Sequence, residues 1–149
     1  MAEDNEFAIV EIDHLIWPES LQLPTKRFRL FVAADTTRAT TDDISNFAEA
    51  ALEGGMVYFC AWGAGCERFH DIVDEVVVVS DLEGRRFALP NTTWHAHETL
   101  EEALEFFATA AVPSDEYEAG SRFRVVLCVG NPGWAAVADR FLKNATFLA

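Results

Sequence analysis

Apolar residues along this chain fall into short unbroken runs separated by stretches of helical spacing, the pattern of buried strands alternating with amphipathic helices. The clearest run is MVYFCAW at residues 56–62, with Gly54 and Gly55 before it and Gly63 after it. It lacks polar alternation, which predicts a strand buried on both faces. Such a strand needs helices above and below a mostly parallel sheet.

Other runs extend the pattern. FAIVEI at residues 7–12 reads as an outer strand or N-terminal arm, with Pro18 and Pro24 in the loop behind it. Residues 27–34 form the next strand, with Asp35, Thr36 and Thr37 at its exit. Thr40 and Thr41 followed by Asp42 and Asp43 open a helix over about residues 41–53, because a hydroxyl cap and carboxylates both suit a helix N-terminus. Ile44, Phe47, Ala48 and Ala51 supply its buried face, and Gly54 stops it. Strand, helix and strand then make a right-handed βαβ unit.

After Gly63-Ala64-Gly65, a short helix is expected over residues 66–73, and the four valines 76–79 are expected to form the third parallel strand. The competing reading is one helix over residues 66–80, since Phe69, Val73, Val76 and Val77 share a helical face. Residues 81–97 read as a long connection folding over any site. Thr99 and Glu102 form a capping box for a helix carrying Leu100, Ala103, Leu104, Phe107 and Ala111 on one face. An acidic loop over residues 114–120 leads to a strand at 122–129, and Asn131 caps a last helix that has Pro132 at its first position. Arg-Phe-Arg opens both the strand at Arg27 and the one at Arg122, as two neighbouring parallel strands entering from one side would.

These elements predict an α/β fold in one domain over residues 1–149, with residues 1–25 as an N-terminal strand or arm and loop. The architecture is a three-layer Rossmann-like sandwich with a mostly parallel sheet near residues 27–33, 56–61, 76–80 and 123–129. The spatial order is 3-2-1-4, with a possible extra N-terminal edge strand.

Charge narrows the partners. With 25 acidic and 11 basic residues the formal charge is −14, a field that repels phosphate backbones and disfavours nucleic acid. No run reaches the ~20 apolar residues of a membrane span, and the acidic start MAEDNEF is unlike a signal peptide. A cytoplasmic protein with no membrane partner is expected. Cys60, Cys66 and Cys128 are odd in number and read as reduced thiols.

Candidate chemistry lies at the strand exits. Asp35, Thr36, Gly130 and Asn131 are expected to line a crevice at the C-terminal edge, with Trp62, Gly63, Gly65, Cys66, Trp94 and His95 around it. Cys66 near a helix N-terminus, with His95 as base, is the candidate nucleophile. Cys66, His70, His95 and His97 are a weaker set of metal donors whose spacing matches no established zinc pattern. The bland account of each is a packed cysteine, a capping or surface histidine, and a glycine turn for close packing. Gly63-Ala64-Gly65 lacks the rest of a phosphate-binding fingerprint, since Arg68 stands where its last glycine belongs. No cofactor is expected.

WGAGCERFHDIVDEV, TTWHAHETLEEALEFF and VGNPGW together resemble a family of small bacterial proteins with no established activity, over about residues 55–135. The resemblance implies a small bacterial protein and carries over no site residue. Two functional classes stand open: binding of a basic or neutral protein partner, of regulatory or immunity type, or a small-molecule enzyme or metal-binding protein using Cys66 and His95.

Overall fold

Among the described residues six strands form one sheet in which every pair of neighbours runs parallel. The computed structural model describes residues 6–81, 89–118, 120–142 and 146–148. In chain order the elements are β1 (Phe7–Ile12), β2 (Phe28–Ala33), α1 (Thr41–Gly54), β3 (Met56–Trp62), α2 (Cys66–Val79) and β4 (Asn91–Trp94). They continue with α3 (Leu100–Thr109), α4 (Asp115–Glu118), β5 (Arg124–Val129), α5 (Pro132–Phe141) and β6 (Thr146–Leu148). The strand order is β4-β3-β2-β5-β1-β6. The protein is thus a mixed α/β, Rossmann-like sandwich.

The strands alternate their side chains between two cores. Leu30, Val32, Phe59, Ala61, Val125 and Leu127 pack under α1 and α2. Phe31, Ala33, Tyr58, Cys60, Val126 and Cys128 pack under α3 and α5. Because both faces are covered, the strands carry no polar alternation. Thr40 and Asp43 bond reciprocally at the start of α1, Thr99 and Glu102 at the start of α3, and Asn131 accepts from Gly133 at the start of α5. Each orphan amide bonded in this way is satisfied by a residue that the sequence marks.

The third strand is a correction. Residues 76–79 belong to α2, and the third place in the 3-2-1-4 order is taken by β4, Asn91–Trp94. β-branched residues lose only ~0.5 kcal/mol each in a helix relative to good formers. Burying Phe69, Val73 and Val77 on one face outweighs that. Val78 and Val79 are left half in solvent, at 49% and 55% exposure. The polar Asn-Thr-Thr-Trp segment forms a strand as the edge next to β3, where one side of the ladder needs no apolar cover. Of the predicted loop over residues 81–97, residues 82–88 lie outside those described.

A second correction concerns the N-terminus. β1 is not an edge strand: it lies between β5 and β6, and its first four residues are buried. The added neighbour is β6, a three-residue strand that the sequence reading passes over.

The two Arg-Phe-Arg strands are neighbours, with Arg29 opposite Arg124. Both guanidinium groups are buried. Arg29 donates to the carbonyls of Ser121 and Ala111 at 2.8 and 3.0 Å, and Arg124 to that of Phe107 at 3.2 Å. They thereby bring positive charge to the C-terminal end of α3, where carbonyls and the helix dipole favour it.

Candidate functional site

The C-terminal ends of the strands gather the loops that the sequence singles out. After β2 comes Asp35-Thr36, after β3 Gly63-Ala64-Gly65, after β4 His95-Ala96-His97, and after β5 Gly130-Asn131. The Thr36 amide donates to the Ala64 carbonyl at 3.0 Å, and its buried hydroxyl donates to that of Gly65 at 3.2 Å. Two loops are thereby locked together. Gly63 has φ 117°, and a Cβ there would stand 2.1 Å from the Ala34 carbonyl oxygen, so only glycine permits this approach.

α1 follows β2 and packs with α2 on one face, whereas α5 follows β5 and packs with α3 on the other. The exits of β2 and β5 therefore diverge, which is the switch point at which parallel sheets open a crevice. A cleft of about 590 Å³ occupies that place, lined by Asp35, Thr36, Gly130 and Asn131 together with Asp13, His14 and Trp134. A second, of about 570 Å³, is lined by Trp62, Gly63, Gly65, Cys66, His95 and His97. The two share Asp35 and Trp134. A third, of about 340 Å³, joins the first through Leu15, Ile16 and Asp43 and continues along α1 past Glu19. The first cleft thus adjoins each of the others through shared wall residues, so that the three form a trough of neighbouring hollows.

Its charged wall residues are mostly carboxylates. Among the described residues, Asp13, Glu19, Asp35, Asp43, Glu67 and Glu98 line it alongside one arginine, Arg68. Asp35 is held below the ordinary carboxylate range first by the Thr37 hydroxyl, then by the Thr37 amide and by Arg38. Asp43 is lowered likewise by the amide and hydroxyl of Thr40. Both carboxyl groups are therefore ionised at neutral pH.

The structure brings Asp35, Thr36, Gly130 and Asn131 to one cleft and Trp62, Gly63, Gly65, Cys66 and His95 to the next. Trp94 lines neither: its ring packs 4.5 Å from that of His70, on the α2 side of β4. Asp13, His14 and Trp134 are additional wall residues. Asp13 and His14 stand at the exit of β1, and reading that segment as an outlying arm hides the signal. Trp134 reads as part of the buried stripe of α5, yet is only half-buried.

The expected pairing of the Cys66 thiol with the His95 ring is not seen among the described residues. Cys66 is buried, and its thiol is pushed up by that burial; its hydrogen bond with His95 is to the backbone and not to the ring. The His95 ring faces Cys60 at 3.5 Å and Thr93 at 3.1 Å through Nε2, and Glu98 at 3.2 Å through Nδ1. Burial pushes the Cys60 thiol up to about 12, as it does that of Cys128. A protonated, enclosed thiol is a poor nucleophile.

The four donors Cys66, His70, His95 and His97 do not converge either. His70 bonds Asp71 and Thr92, both at 2.9 Å, and Thr92 donates to Asp74 at 3.0 Å, a network that ties α2 to the edge strand β4. Among the described residues no three His, Cys, Asp or Glu side chains are arranged to hold a metal ion.

Fold and trough define a doubly wound α/β protein with an acidic cleft at its switch point. Its family is the one described as a domain of unknown function, DUF7684, to which the chain belongs by a match over residues 12–145. The likeness thus reaches further towards the N-terminus than residues 55–135 and takes in β2 and α1. Comparison with curated proteins and with solved structures returns no match. No helix among the described residues is long and apolar enough to cross a membrane.

Proposed function

We propose that this protein is a binding module whose trough receives a basic, extended segment of a partner protein, in a regulatory or immunity-type association. The observation that carries the reading is the adjacency of the three clefts, whose walls among the described residues carry six carboxylates and one arginine. A chain segment bearing several cations satisfies such a surface along its length, and the −14 overall charge steers it there. The same field turns nucleic acid away. Three buried free thiols suit a reducing cytoplasm. The alternative, an enzyme built on Cys66 and His95, lacks support from an activated thiol.

Calorimetric titration with an unlabelled deca-lysine peptide tests the reading. Binding is expected to weaken as salt rises and the ~8 Å Debye length at physiological salt shortens. The pair Asp13→Asn with Glu19→Gln in the trough is expected to lower affinity, whereas Glu101→Gln with Glu105→Gln on the outer face of α3 leaves it unchanged. Equal losses from both pairs, or no binding at all, would overturn the trough as the binding surface.

A further inference from the structure

The second cleft has walls of a different kind. Trp62 and Trp134 both line it, and their rings stand at 88° to each other with centroids 5.4 Å apart, forming an aromatic corner. The Trp62 indole is fixed, since its Nε1 donates to the Glu98 carbonyl at 2.9 Å. Around that corner lie the carboxylates of Asp35, Glu67 and Glu98. Asp35 uses Oδ1 for both bonds to Thr37 at 3.0 and 2.6 Å, and among the described residues Oδ2 has no hydrogen bond. Glu67 is exposed and, among those residues, makes no ion pair.

We propose that this cleft is an anchor pocket for one arginine side chain of the bound segment, with the guanidinium against the indoles of Trp62 and Trp134 and forked onto Asp35 or Glu67. The proposal rests on the trough reading and names the group that its second cleft selects. Electron-rich indole faces attract a cation, and a preformed corner loses little side-chain entropy on binding. The planar, weakly hydrated guanidinium stacks on an aromatic face and meets a carboxylate bidentately, which a lysine ammonium does not. Arg68 also lines the cleft, its guanidinium donating to the Thr36 carbonyl at 3.4 Å, and three carboxylates share the wall with that one cation. A cationic occupant complements those carboxylates, which a neutral or anionic one does not.

The probes are single residues blocked at both ends: arginine, its uncharged isostere citrulline, and lysine. They are followed through the indole N–H resonances of the 15N-labelled protein. Blocked arginine is expected to shift the Trp62 and Trp134 signals saturably, while citrulline leaves them in place and lysine binds several-fold more weakly. Trp134→Leu is expected to weaken arginine binding about threefold to tenfold. Asp35→Asn and Glu67→Gln, both at exposed positions, should each weaken it as well. Citrulline as effective as arginine, lysine equal to arginine, or shifts confined to Trp17 and Trp94 would each overturn the anchor.

The deca-lysine titration separates the two readings. If blocked arginine fails while deca-lysine binding still depends on Asp13 and Glu19, the anchor falls and the trough stands. If arginine binds at the Trp corner but deca-lysine ignores those residues, the trough reading falls and the pocket remains.

Discussion

The imidazole of His95 meets the thiol of Cys60, at 3.5 Å, and not that of Cys66. One residue thus joins two thiols by different groups, its ring to Cys60 under α3 and its backbone to Cys66 at the start of α2. The sequence singles out His95 with Cys66 and gives Cys60 no partner, and the gap from Cys66 to His95 is one that only the fold closes. Which thiol receives the ring depends on the side to which β4 turns His95.

Thiol reactivity follows from this arrangement. With Cys60 and Cys128 pushed up to about 12 and Cys66 raised by burial, all three are protonated at neutral pH. Native protein treated with iodoacetamide at neutral pH should remain unmodified by mass spectrometry, and all three cysteines should label after unfolding. Rapid native labelling of Cys66 would restore the nucleophile reading.

Acid should weaken the start of α1. Asp43 has a depressed carboxyl pKa in the fold, so its contribution is fully present above the ordinary value of 3.8 and is lost as pH falls through the lower folded value. Asp43→Ala is expected to lower Tm at pH 7, and the gap to the parent protein should narrow below that folded value. Thr40→Ala, which removes the hydroxyl partner of the capping box, should cost about 1 kcal/mol in denaturant unfolding.

The edge strand depends on a polar tether. Thr92 donates to Asp74 at 3.0 Å and, its one proton so used, accepts from His70 Nε2 at 2.9 Å. Thr92→Val leaves those partners without the hydroxyl and should cost about 1–2 kcal/mol. Amide exchange should accelerate at Asn91–Trp94 while β2 and β5 keep their protection.

Gly63→Ala should be more damaging than a turn substitution ordinarily is. Its Cβ would press on the Ala34 carbonyl, a backbone atom next to Asp35, at a φ that side chains rarely adopt. A cost of about 1–3 kcal/mol is expected, together with weaker deca-lysine binding because Asp35 shifts. Unchanged stability would mean that the two loops are not locked as described.

Local chemistry determined much of this protein directly from its sequence. The apolar runs at β2, β3 and β5 show no alternation because both sheet faces are covered, and that alone implies parallel strands between helices. Thr40, Thr99 and Asn131 mark helix starts because a short side-chain oxygen satisfies amides beside it in the chain. The crevice at Asp35, Thr36, Gly130 and Asn131 was equally legible, since it follows from winding direction.

Tertiary structure decided what depends on partners distant in the chain. The valines 76–79 carry a strand preference worth less than the contacts Phe69, Val73 and Val77 make as a helix, so packing overrode it. Asn91–Trp94 is a strand only because β3 offers a free edge, and FAIVEI is interior only because β6 returns beside it. The Trp62–Trp134 corner joins residues from the end of β3 and the start of α5, whose approach no local pattern encodes. Local signals are set by neighbours within a few residues; strand order, ring orientation and trough are set by which surfaces the folded core brings together.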